Sequence, residues 1–205
     1  MKRTFIKCLI GATAVILANS ASAQLGGIGG LGGSKGGSSG GVPAEALVKS
    51  YVAGTKSVHT ADAKMLSALG MKEEAAKAEL QASNLTEGAT ASALEDAAKV
   101  QTENSKAIAA KLDGQKVTLD AEGKKEFTAG LLNLAKGIKD YTNMSSDVKS
   151  FKPSMTSIGG AASSAMFIVK SLPDNTSNLM GTLKKAISFA KENKIEVPKE
   201  ATSLL

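Results

Sequence analysis

Hydrophobic positions in this chain recur at alternating steps of three and four, the spacing that lines one face of an α-helix. Over residues 44–68 the stripe is Val48, Tyr51, Thr55, Val58, Asp62, Met65 and Leu69, while Lys49, Lys56 and Lys64 fall off it. Gly70 then supplies a C-terminal stop, because glycine enters the left-handed conformation without steric cost. A shorter helix is predicted over 72–83, with Met71, Ala75, Ala78, Ala82 and Leu85 inward and Glu73 and Glu74 in the first turn, where the helix dipole favours them. A third helix over 90–112 has the stripe Leu94, Ala98, Gln101, Ser105, Ile108 and Leu112. Its middle is small and polar, so it should pack weakly. Asp113-Gly114 signals a turn, and 115–119 reads as a connector or a brief extended piece.

The fourth helix is the longest, predicted over 121–151 behind Asp120 as its N-cap. Phe127, Leu131, Leu134, Ile138, Tyr141, Ser145 and Val148 line its inner face. Gly123, Gly130 and Gly137 recur at intervals of seven beside that stripe. Each glycine costs a helix roughly 1 kcal/mol against alanine, so three on one line predict close packing against another helix. The alternative is a kinked helix that breaks near 143–146.

Residues 153–169 form the longest uncharged run beyond residue 23, seventeen residues between Lys152 and Lys170. A bilayer span needs roughly 20 mostly apolar residues, and this run is shorter and carries Ser or Thr at 154, 156, 157, 163 and 164. It reads as a central helix buried on most sides and covered by the others. The alternative is a segment that inserts into a membrane conditionally, since small residues also line contacts between membrane helices. Ile158, Gly159, Gly160, Met166, Phe167 and Ile168 are its candidate apolar binding or insertion residues.

Residues 171–175, Ser-Leu-Pro-Asp-Asn, read as a turn, and a sixth helix follows over 176–193 with Met180, Leu183, Ile187 and Ala190 inward. Lys184, Lys185, Lys191 and Lys194 face outward. The end, 196–205, docks a short last turn through Leu204 and Leu205. Pro43, Pro153, Pro173 and Pro198 each precede a helical pattern or fall in its first turn, where the missing N–H costs nothing. No period-two alternation persists, so no strand is predicted.

The first 23 residues have the form of a bacterial export signal. Lys2, Arg3 and Lys7 precede an apolar centre, and Ala21-Ser22-Ala23 is a small-residue cleavage site. Cleavage there would start the mature chain at Gln24, in the periplasm or outside the cell. Residues 24–41 hold ten glycines in eighteen positions, too little apolar surface to offset the entropy of ordering, and read as a flexible tether. Residues 42–205 are long enough for one domain with a sizeable core. The fold class is therefore all-α, a single-domain bundle of five to six helices behind a disordered glycine-rich tether.

Composition narrows function. Beyond residue 23 there is no Cys, Trp or Arg, and 22 lysines against 19 acidic residues leave a charge of +3. Disulfides and thiolate metal sites are absent by composition. Without arginine for bidentate phosphate or guanine contacts, and with few aromatics for base stacking, nucleic-acid binding is not expected. The matches Gly27–Gly32 to GxGxxG and Gly32–Gly36 to GxSxG fall in the glycine run, with no strand before them, and carry no chemistry.

His59 is the only histidine, and Asp62 stands one turn on, where the two can form a hydrogen-bonded pair. One histidine without cysteine supplies too few ligands for zinc or iron, so His59 reads as a partly buried structural residue. Glu73/Glu74 and Glu95/Asp96 point apart on a helix and read as solvated charge. No catalytic residue, metal ligand or cofactor site is predicted. The expected function is non-enzymatic binding: an apolar small molecule, a lipid or a protein partner held between helices short of bulky side chains. A secreted membrane-active protein, whose helices open on a membrane surface and let 153–169 insert, is the alternative.

Overall fold

Seven helices and no strand are found among residues 42–114, 117–152 and 160–205, the residues described by the computed structural model. They are α1 (Ala44–Ala68), α2 (Lys72–Asn84), α3 (Ala91–Gly114), α4 (Ala121–Asn143), α5 (Ser145–Ser150), α6 (Gly160–Glu192) and α7 (Lys199–Thr202). The expected signal segment and tether, together with 115–116 and 153–159, lie outside the described residues. Ile158 and Gly159 are among the latter.

Local signals end α1 and begin α4 where the sequence places them, whereas α3 continues through the predicted Asp113-Gly114 turn to Gly114. Gly70, at φ +79°, closes α1: its N–H donates to the Ser67 carbonyl at 3.0 Å, and the Met71 N–H donates back to Leu66 at 2.8 Å. The Asp120 carboxylate accepts from the Gly123 N–H at 2.7 Å and caps α4. The expected fourth helix is interrupted at Met144, so its last turns form the separate α5.

The central element is α1, which of all the helices packs most extensively against the others, meeting α2, α3, α4 and α6. Its whole sequence stripe from Val48 to Leu69 is buried. Helix α4 runs antiparallel to it, since Gly54 meets Tyr141, Val58 meets Gly137 and Met65 meets Gly130. Helices α3 and α6 run in one direction, with Ser164 bonded to the Ala89 carbonyl near one end and an ion pair between Lys185 and Asp113 near the other. The buried stripe of α4, Phe127 to Tyr141, completes the core with Phe189 of α6 tilted against Phe127 at 5.3 Å.

The predicted central role of 153–169 is corrected. Its described part, the start of α6, has two faces: Ser164, Ala165 and Ile168 are buried, while Gly160, Ser163 and Met166 face solvent. The predicted turn at 171–175 is also absent, because α6 continues through Pro173 to Glu192. Ala165, Ile168, Leu172, Asn175, Leu179, Thr182, Ala186 and Ala190 hold one helical register across the proline and are all buried. Pro173 itself stands on the exposed face, where water can satisfy the carbonyl its ring leaves unbonded. At the chain end Leu204 packs on the core and Leu205 does not. No described helix is long and apolar enough to cross a membrane.

Candidate functional site

Polar side chains are gathered inside the bundle along α1. Tyr51 and Tyr141 stack with ring centres 5.1 Å apart and planes within 5°, and Phe167 meets Tyr51 edge-on at 6.4 Å. The Thr55 hydroxyl donates to the Tyr51 carbonyl at 2.8 Å, so in its 2.7 Å contact with the Tyr141 hydroxyl it accepts. The Asn175 amide of α6 donates to the Tyr51 hydroxyl at 2.9 Å. Burial pushes both phenols above their ordinary range.

Farther along the same face lie His59 and Asp62, both wholly buried. The expected hydrogen bond between them is not formed. Each aims at a different level of α3: His59 faces the Ala97 backbone, and Asp62 accepts from the Asn104 amide at 3.3 Å. Burial lowers the imidazole to about 4, with Ala97 opposing. Burial raises the Asp62 carboxyl to about 8, with Asn104 opposing.

Neither ring nitrogen of His59 reaches hydrogen-bonding geometry, nor do Asp62 Oδ1, Gln101 Oε1 and Ser105 Oγ. The polar middle of α3 thus meets the polar end of the α1 stripe with much of its bonding capacity unused. Solvent reaches none of these side chains appreciably. Among the described residues no three His, Cys, Asp or Glu side chains gather to hold a metal.

Outside the bundle, α4 and the α7 segment enclose a groove of about 670 Å³. Leu132, Ala135 and Leu204 supply its apolar lining, with Lys136 and Lys139 on α4 and Glu200 on α7. Leu132 is 44% exposed, one of few large apolar side chains so placed. It also lines an adjoining hollow of about 410 Å³, with Lys125, Ala129, Lys194 and Ile195. A third hollow, about 610 Å³, lies along α1 and α2 and is bridged by the Lys64–Glu126 ion pair at 3.1 Å.

Of the residues singled out from sequence, the four that are described do not gather at any of these hollows. Gly160 begins α6 in solvent, Met166 is 41% exposed, Phe167 is half-buried against Tyr51, and Ile168 is buried. The groove residues were missed because they lie off the buried stripe of α4. Their signal is nevertheless present: Leu132, Lys136 and Lys139 repeat the steps of four and three on the outward face, headed by a leucine where a polar residue would be ordinary. No family model, curated protein or solved structure matches the chain.

Proposed function

We propose that this is an exported, non-enzymatic binding protein that holds an apolar small molecule in the groove between α4 and α7. The observation that carries the reading is the groove itself: about 670 Å³, with Leu132, Ala135 and Leu204 in its lining. Small-molecule sites are typically concave, mostly apolar and roughly 300–1,000 Å³. The small residues between α1 and α4 do not hold the ligand, because the two backbones close on each other there. Export rests on the N-terminal pattern, and terminal sequencing of the secreted protein should find Gln24 first.

Titration with the neutral fluorophore N-phenyl-1-naphthylamine tests the groove. Saturable binding at one site is expected, lost in Leu132→Asp and Leu204→Asp variants whose circular dichroism is unchanged. Binding that survives both substitutions would refute the reading.

A second reading is favoured by a different observation, the unpartnered buried polar atoms between α1 and α3. A buried polar group left unbonded costs about 1–3 kcal/mol, so this seam is where the bundle would part on a membrane. Release of dye from liposomes by the full chain, with faster amide exchange in α3 than in α4, would support it. No release at any protein concentration would exclude it.

A further inference from the structure

We infer that the ligand of the α4–α7 groove is an anionic amphiphile, a free long-chain carboxylate whose head group lies at Lys136 and Lys139 and whose chain runs over Leu132. The inference rests on the groove reading above and adds the charge and shape of the occupant. Lys136 and Lys139 line the groove, are exposed, and form no ion pair among the described residues. Among the described residues Glu200 is the only acidic side chain in that lining, and Glu196 lines the adjoining hollow. Beyond Leu132 the adjoining hollow continues the apolar path past Ala129 to Ile195, with Lys125 and Lys194 at its rim.

On α4, Lys125, Leu132 and Lys139 are spaced by seven and so fall nearly on one line. At 1.5 Å per residue each interval is roughly 10 Å, so an apolar centre is bracketed by cations along roughly 20 Å of helix. A neutral apolar ligand would leave these lysines without a role. A short dicarboxylate or an inorganic anion would leave Leu132 and Leu204 uncovered. A single chain with one anionic head meets the two lysines of the groove and its leucines together, because the head exchanges water for the Lys136 and Lys139 ammonium groups while the chain covers Leu132 and Leu204.

Isothermal titration with dodecanoate and with dodecan-1-ol, both below aggregation, separates the parts of this inference. The wild-type protein should bind dodecanoate about tenfold more tightly than the alcohol, and the preference should shrink with added salt. In Lys136→Glu/Lys139→Glu the preference should vanish while alcohol binding is unchanged, and Leu132→Asp should weaken both. Equal affinity of the wild type for acid and alcohol overturns the charged occupant and leaves the groove reading standing. No binding of either compound overturns the groove reading itself. Binding to phosphatidylglycerol vesicles without binding of free dodecanoate would make the face a membrane contact and refute the free carboxylate.

Discussion

A Cβ added at position 130 would sit 2.5 Å from Met65 Cγ and 3.2 Å from the Ala61 carbonyl; one at 137 would sit 2.6 Å from Val58 Cγ2 and 3.1 Å from the Gly54 carbonyl. Side chains can yield at such distances, but the opposing backbone of α1 cannot yield without moving the helix. Glycine at these positions is therefore set by α1, against a helix propensity that favours alanine by about 1 kcal/mol. Gly130→Ala should destabilise the protein by about 2 kcal/mol, overpacking outweighing propensity. Gly181 of α6 has open space around it, and Gly181→Ala should stabilise by about 1 kcal/mol. Urea unfolding of the two variants checks both signs, and a stabilised Gly130→Ala would mean that α1 and α4 are not in such close contact. Of the three glycines at intervals of seven, Gly123 meets mainly its own cap, Asp120, so the pattern predicts a close contact but not its extent.

At the scale of elements, α6 poses the main departure from the sequence reading. Proline is a strong local signal for a helix boundary, and Asp174-Asn175 after it strengthened the case for a turn. Packing overrules this: Leu172 and Leu179 are buried on either side, and Asn175 bonds the Tyr51 hydroxyl. Those contacts offset the lost backbone hydrogen bond. Pro173→Ala restores the bond to the Val169 carbonyl on an exposed face. It should stabilise the protein by about 1–3 kcal/mol without changing helix content, as melting and circular dichroism can show. A destabilised variant would mean that Pro173 itself is needed to seat Asn175. The groove on α4 presents the opposite case, a feature written in local sequence as the outward leucine at 132 yet meaningless until α7 folds back beside it.

For the whole molecule, the buried acid and imidazole between α1 and α3 set the dependence of stability on pH. With Asp62 raised from 3.8 to about 8, the folded state keeps a proton that the unfolded chain has lost, so stability falls as pH rises through that window. With His59 lowered from 6.5 to about 4, the unfolded chain binds a proton that the folded state refuses, so stability rises with pH between those values. The two slopes oppose one another from about pH 4 to 6.5 and nearly cancel. From about 6.5 to 8 only Asp62 acts, and stability should fall by about 2 kcal/mol at 1.36 kcal/mol per unit. Tyr141, whose phenol Asp62 helps raise, ionises above this window. Asp62→Asn should abolish the fall and leave a rise below pH 6.5. Chemical denaturation from pH 5 to 9 decides it, and a wild type that gains stability from 6.5 to 8 would refute a buried neutral Asp62.

By itself the sequence determined that the chain is helical, where α1, α2 and α4 begin, and which stripe each turns inward. These properties depend on groups within a few residues of one another: the 3.6-residue period, the Asp120 cap, the left-handed Gly70. The same periodicity singled out the polar middle of α3, whose Gln101 and Ser105 are buried as their places on the stripe imply. Tertiary structure alone decided that α1 rather than the uncharged run is central, because centrality depends on how extensively an element packs against the others and not on its own lack of charge. It also decided that His59 and Asp62 turn to separate levels of α3, since both lie on one helix but their surroundings come from another. The groove was decided last, by the return of α7 along α4: a hollow exists only between surfaces far apart in sequence, and no local pattern specifies its far wall.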